Sequence, residues 1–119
     1  MKLVAATRGS PLALWQTQHV ATLLKPLGVD VEPLIVLTSG DKDQEAPIHQ
    51  IGGKGVFAKE VQSAVLENRA DFAVHSLKDL PSSTPEGLQL IAVPRRGDPR
   101  DALVGSSLKG LPIGGNVAT

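Results

Sequence analysis

Apolar and polar positions alternate along the first third of the chain in blocks that predict a strand, a helix and a second strand. Residues 3–6 form a short apolar run. Ser10 can then cap a helix that begins at Pro11, because the amide hydrogen that proline lacks would have had no partner at that position. Apolar residues recur at roughly helical spacing up to about Lys25, and residues 29–37 predict the next strand.

The rest of the chain continues this alternation after one long polar segment. Residues 38–53 predict a loop, and a loop of this length in a compact domain is usually a lid or a binding loop. A second helix is predicted after the sequence "GGKG" at 52–55, and further strands at 72–74, 88–93 and 102–104. Alternating strands and helices are typical of a largely parallel sheet flanked by helices, so the predicted fold class is α/β.

Composition narrows the classes of function. The chain has 119 residues, about the size of one ordinary domain. Its 12 basic and 12 acidic residues cancel, so the overall charge favours neither a nucleic-acid nor a membrane partner. The absence of cysteine excludes disulfides, thiolate metal sites and a cysteine nucleophile on this chain. The apolar stretch at the amino terminus is too short for a signal peptide or a membrane span, which predicts a cytoplasmic location.

Polar side chains follow each of the first four predicted strands at the point where the strand ends. The four segments are "TRGS" at 7–10, "TSG" at 38–40, "HSLKD" at 75–79 and "PRR" at 94–96. Because the carboxyl ends of parallel strands meet at one edge of a sheet, ligands bind beyond that edge. Lys54 and Lys59, at the start of the second helix, are predicted to join the same edge.

This edge is predicted to bind an anion. Its cationic candidates are Arg8, Lys54, Lys59 and Lys78, with Arg95 or Arg96 as a further one, and Asp79 is a carboxylate among them. A polycarboxylate fits better than a nucleotide, since "GGKG" lacks the serine or threonine and the upstream glycine of a phosphate-binding loop. No metal site is predicted.

Simpler interpretations stand beside these. Asp79 precedes a leucine and a proline, and its side chain could simply cap a turn without any role in binding or catalysis. His75 at a strand end is more often a hydrogen-bonded structural histidine than a catalytic one. Lys59 could belong to a solvated helix face, and Trp15 is most simply a core residue.

Three stretches, in order along the chain, carry a resemblance to a known family. They are "TRGSPLALWQ" at 7–16, "GGKGVFAKEVQSAVLENRADFAVHSLKDLP" at 52–81 and "DPRDALV" at 98–104. Together they resemble the amino-terminal part of the porphobilinogen deaminase (hydroxymethylbilane synthase) family. The resemblance implies a transferase of tetrapyrrole, porphyrin and heme biosynthesis, which joins four porphobilinogen units with loss of ammonia on a covalently held dipyrromethane primer. It also implies a domain like those of type II periplasmic binding proteins.

Residue by residue, the resemblance implies one catalytic group and two sets of contacts. Asp79 resembles the catalytic aspartate of the family. A carboxylate suits that role, because it can accept a pyrrole N–H and stabilise the cation that forms as ammonia leaves. The implied substrate contacts are Arg8, Ser10, Lys54 and Lys59, and the implied cofactor contacts are Ser76, Lys78 and Asp79.

Departures from the family pattern limit what this chain is expected to do alone. The family attaches its primer to a cysteine in a third domain, and this chain has no cysteine. The resemblance implies that residues 1–112 form the first cleft domain and that residues 113–119 begin a crossover to a missing second domain. The chain is expected to be an inactive half of a cleft, in an incomplete α/β domain whose exposed sheet edge could favour self-association.

Two other functions remain open from the residues. One is a stand-alone module that holds a small carboxylate or oxyanion without chemistry, and the other is a structural or regulatory fragment that binds a partner. Asp79 discriminates between the module and the enzyme, since a carboxylate repels an anionic ligand but stabilises a cationic intermediate.

Overall fold

The computed structural model describes residues 1–38 and 57–117, and within them the fold is a parallel sheet flanked by two helices. The elements are β1 (Lys2–Thr7), α1 (Pro11–Leu24), β2 (Asp30–Ile35), α2 (Lys59–Leu66) and β3 (Phe72–Ala73). The strand order is β2–β1–β3, and β1 is parallel to both neighbours. The predicted α/β class and the opening strand–helix–strand unit are confirmed.

Local chemistry sets both ends of α1. The backbone of Ser10 is extended, and its hydroxyl accepts a hydrogen bond from the amide of Ala13 at 3.3 Å. Pro11 takes the first helical position, as predicted. After Leu24 a short 3₁₀ turn leads to Gly28, whose φ of 76° lies in the left-handed region that glycine tolerates best. This stop returns the chain to the start of β2.

The core is small and consists mainly of alanine and valine. Its buried members are Ala6, Val36, Val61, Ala64 and Ala70, with the partly buried Val4, Leu34, Val65 and Ala73 packed against them. α2 contributes Val61 and Ala64, which are three positions apart and so lie on one face of the helix. The core thus joins α2 to the sheet.

The register of the sheet determines where the site can form. Thr7 at the end of β1 pairs with Ile35, and Ala6 pairs with Ala73. The amide of Val74 donates to the carbonyl of Ala6 at 3.0 Å, so the pairing continues to the strand tip. The segments that follow β1 and β3 therefore leave the sheet side by side, as the parallel arrangement predicts.

Two predicted strands do not form. Residues 88–93 and 102–104 have no strand structure, and Ile91 and Val104 are 80% and 91% exposed. An apolar run becomes a strand only when a neighbour completes its hydrogen bonds, and in the described residues the sheet comprises β1, β2 and β3 alone. The strand prediction for these segments is wrong because composition does not reveal a pairing partner.

One residue of α1 also differs from its prediction. Trp15 is 61% exposed rather than in the core, and its ring stacks on His19 with centroids 5.5 Å apart. The one buried residue of α1 is Thr17. No helix in the described ranges is long and apolar enough to cross a membrane.

Candidate functional site

A cleft of about 170 Å³ opens at the carboxyl edge of the sheet. Its walls come from the β1–α1 connection, the first turns of α1, the segment after β3 and the residue that precedes α2 by two positions. The polar side chains that line it are Arg8, Ser10, Gln16, His75, Ser76, Lys78 and Asp79. Five of the predicted site residues are thus brought together: Arg8, Ser10, Ser76, Lys78 and Asp79.

A short turn brings Lys78 and Asp79 to the cleft. The amide of Asp79 donates to the carbonyl of Ser76 at 2.9 Å and closes a 3₁₀ turn, Leu77–Asp79. Leu80 is extended, and the proline that follows it has no amide hydrogen with which to continue the turn. The polar residues after β3 therefore form one compact unit at the strand tip.

Arg8 and Asp79 face each other in this cleft. The Nη1 atom of Arg8 lies 3.8 Å from Oδ2 of Asp79, and the two side chains are only 19% and 21% exposed. This separation exceeds the roughly 2.7–2.9 Å of a charge-assisted hydrogen bond, so the attraction is mainly electrostatic. The guanidinium carbon also lies 4.2 Å from the ring centroid of Phe57, within range of a cation–π contact.

His75 is a half-buried base next to this pair. Its Nε2 atom is buried and has no hydrogen-bond partner among the described residues. Burial lowers the pKa of His75 from its ordinary 6.5, the charge of Asp79 works against that change and the charge of Arg8 adds to it. The imidazole is therefore neutral at neutral pH, and Arg8 rather than His75 balances the carboxylate.

Stability is expected to fall as the solution is acidified through the pKa of His75. Because the folded pKa lies below the unfolded value, the unfolded chain binds the proton more readily. The contribution of the neutral His75 to the free energy of unfolding is fully present above about pH 6.5, and it is lost as the pH falls through the folded pKa of His75. Urea unfolding at pH 7.5 and pH 5.5 measures this effect. The free energy of unfolding should decrease less between the two pH values for His75→Gln than for the unsubstituted chain or for His19→Gln. Equal decreases in all three proteins would contradict the lowered pKa of His75.

Other predicted cations do not line the cleft. Lys59 begins α2 and is exposed, and neither Arg95 nor Arg96 lines the cleft in the part of the chain that is described. Lys54 lies outside the described residues, as does most of the predicted loop at 38–53. Within the described cleft, the cationic lining is Arg8 and Lys78.

Among the lining residues that the sequence did not assign to the site, Gln16 and Phe57 contact predicted site residues. Gln16 accepts a hydrogen bond from the hydroxyl of Ser76 at 2.9 Å, and Phe57 lies beneath Arg8. Gln16 follows Ala13 by three positions, a spacing that puts both on one helix face beside the cap at Ser10. That spacing was the available signal for Gln16, whereas Phe57 carries the apolar pattern of a core residue.

Comparisons with known proteins show the family of the chain. The family model described as "Porphobilinogen deaminase, dipyromethane cofactor binding domain" matches residues 3–119. A protein named porphobilinogen deaminase from Nitratidesulfovibrio vulgaris (strain Miyazaki F) is 48% identical over 123 aligned positions, which cover 99% of this chain and 39% of the relative. One of the same name from Maridesulfovibrio salexigens is 46% identical, covering 99% and 40%. The chain thus spans about two fifths of the length of these curated relatives. With matches along nearly its whole length, the chain belongs to the porphobilinogen deaminase family.

Proposed function

We propose that the chain forms one half of the catalytic cleft of a hydroxymethylbilane synthase. This enzyme joins four porphobilinogen units and releases ammonia at each addition. The observation that carries the proposal is the partly buried pair of Arg8 and Asp79, 3.8 Å apart, in a cleft that also holds Lys78. The name porphobilinogen deaminase that the relatives carry supports a release of ammonia from porphobilinogen, and the cleft has groups that suit the charges of that reaction.

Asp79 is the proposed catalytic residue. Loss of ammonia from porphobilinogen leaves positive charge on the pyrrole, and a fixed carboxylate beside the ring stabilises that charge as it develops. The same oxygens can accept the ring N–H and so orient the ring. The low exposure of Asp79 strengthens both interactions, because less water screens them.

The cationic and hydroxyl groups of the cleft fit a dipyrromethane. This group carries acetate and propionate side chains, which need cationic donors such as Lys78. It also carries pyrrole N–H groups, which need acceptors such as the carboxylate of Asp79 and the hydroxyl oxygen of Ser76 along the cleft. When bound, dipyrromethane supplies the pyrrole carbon onto which the first substrate unit is added. Because this chain has no cysteine, its residues would hold the group without a thioether bond.

Substrate carboxylates are the proposed ligands of four residues. Arg8 and Ser10 line the cleft at the amino terminus of α1, where helix amides favour an anion. Lys59 lies at the amino terminus of α2, two positions after the cleft residue Phe57, and Lys54 retains the substrate role that the sequence resemblance implies. These contacts would orient porphobilinogen with its ring towards Asp79.

The same proposal covers the organisation and location of the chain. Residues 1–112 form the first cleft domain, residues 113–119 begin the crossover to a second domain, and the chain alone is inactive. Supporting this, the sheet in the described residues has only three strands and one of them, β3, is two residues long. Its open edges could allow self-association, and a cytoplasmic location is part of the proposal.

Titration calorimetry on the isolated chain tests the proposal against a simple oxyanion-binding module. Porphobilinogen is expected to bind more tightly than inorganic phosphate, because its ammonium group offsets the repulsion that Asp79 exerts on an anion. Asp79→Asn should leave porphobilinogen binding largely intact and strengthen phosphate binding, whereas the exposed control Asp98→Asn should change neither. Tighter binding of phosphate than of porphobilinogen by the unsubstituted chain would favour the module instead.

A further inference from the structure

A side-chain hydrogen bond links α1 to the turn that carries Asp79. The hydroxyl of Ser76 donates to Oε1 of Gln16 at 2.9 Å, between residues 60 positions apart, in a partly buried place. Both residues line the cleft. The bond therefore connects the wall that follows β1 with the wall that follows β3.

The Gln16 end of this bond has a rigid support. Ser10 caps α1, and the carbonyl of Ala13 accepts a hydrogen bond from the hydroxyl of Thr17 at 2.9 Å. The hydroxyl of Thr7 lies 3.4 Å from the carbonyls of both Ala13 and Arg8 and shares its one hydrogen between them. Thr7 and Thr17 are both buried. The first turns of α1 are thus attached to the end of β1, and Gln16 projects from a fixed element.

Ser76, at the other end of this hydrogen bond, precedes a turn that has fewer stabilising contacts than α1. The backbone of the turn is held by two hydrogen bonds within it, from the amide of Asp79 to Ser76 and from the amide of Leu80 to Leu77, at 2.9 and 3.2 Å. The hydroxyl of Ser76 makes no capping bond to this turn. A 3₁₀ turn with few bonds of its own is easily displaced, so a bond from a neighbouring helix has a large effect on its position.

We propose that Gln16 is a positioning residue, whose acceptor oxygen fixes Ser76 and thereby holds the turn so that Asp79 faces Arg8. The proposal rests on the function proposed above for Asp79. Because Oε1 is committed to Ser76, the orientation of the amide is fixed, and its NH₂ group keeps two hydrogens that can be donated to a carboxylate in the cleft. Gln16 therefore has two separable roles, an acceptor towards the turn and a donor towards the ligand.

Substitutions of Gln16 separate these roles. Gln16→Glu keeps an acceptor of the same length but loses the donor hydrogens, whereas Gln16→Ala removes both. Gln18→Ala, on an exposed position of the same helix, is the matched control. Amide hydrogen exchange of the ligand-free chain reads the position of the turn, because Asp79 and Leu80 donate within it while Val36 and Val74 donate within the sheet.

In the exchange experiment, Gln16→Ala is expected to raise the rates at Asp79 and Leu80 about fivefold to tenfold relative to Val36 and Val74, as the loss of one hydrogen bond implies. Gln16→Glu and Gln18→Ala should leave these ratios near those of the unsubstituted chain. Ser76→Ala should match Gln16→Ala, and the double variant should add nothing further. An equal rise at all four amides, or a Gln16→Glu variant as affected as Gln16→Ala, would overturn the positioning role.

A porphobilinogen titration of the same variants tests the donor role. Gln16→Glu is expected to weaken binding at least tenfold, since it replaces a donor by a negative charge while the turn stays in place. Unchanged affinity would overturn the donor role. If the unsubstituted chain bound no porphobilinogen, the proposed function would fail, whereas the ligand-free exchange result would still decide the positioning role.

Discussion

Replacing Asp79 by asparagine is expected to lower porphobilinogen consumption about 100- to 1,000-fold, the usual loss when one preorganised electrostatic group is removed from an active site. Asparagine has nearly the same shape and can still accept a pyrrole N–H, so the ring should bind in a similar orientation. It has no negative charge, however, and cannot stabilise the cation that forms as ammonia leaves. The loss should therefore appear in kcat, with little change in KM.

This assay needs a complete cleft, which a chimera provides. Residues 3–119 would replace the matching segment of the Nitratidesulfovibrio vulgaris relative, with which the chain is 48% identical. Asp98→Asn is the matched control, because Asp98 is exposed, is paired with Arg100 and does not line the cleft. Activity of Asp79→Asn within about threefold of the parent chimera would contradict the catalytic assignment.

The part of the site that sequence alone predicted is the part that backbone geometry fixes. Parallel strands end at one edge, so the polar residues after β1 and β3 had to lie near each other once both strands were identified. This reasoning brought Arg8 and Asp79 into one cleft without any knowledge of their side-chain contacts. The cap at Ser10 was predictable too, because a serine followed by a proline is a local signal.

The remainder depended on contacts that a linear pattern does not contain. The segment at 88–93 has the composition of a strand, but strand formation requires a partner. Trp15 has the hydrophobicity of a core residue and is nevertheless exposed, since burial requires a second surface. Gln16 was missed because its contact in the cleft is a hydrogen bond from a residue 60 positions away. The periodicity of apolar residues predicts which face of a helix or strand a residue occupies, but it does not predict which other residues pack against that face.

Substitutions of Arg8 are expected to weaken porphobilinogen binding in two steps. Arg8→Lys keeps the positive charge near Asp79 but loses the planar group that lies on Phe57 and its forked donors, so affinity should fall about tenfold. Arg8→Ala also removes the charged donor to a ligand carboxylate and leaves the partly buried Asp79 without this cation. Affinity should then fall about 100-fold, in line with the loss of a charged hydrogen bond to the ligand.

Calorimetry on the isolated chain measures both steps, and Arg69→Ala is the matched control, because Arg69 is half exposed and paired with Glu67. Urea unfolding of each variant separates a binding effect from a general loss of structure. The order of the three affinities shows whether the charge or the shape of Arg8 matters for binding. If Arg8→Lys bound as weakly as Arg8→Ala, the shape of the guanidinium would matter more than its charge. If both bound as tightly as the unsubstituted chain, Arg8 would serve only to balance Asp79, and the carboxylates of the ligand would have to be held by Lys78 and the helix amides instead.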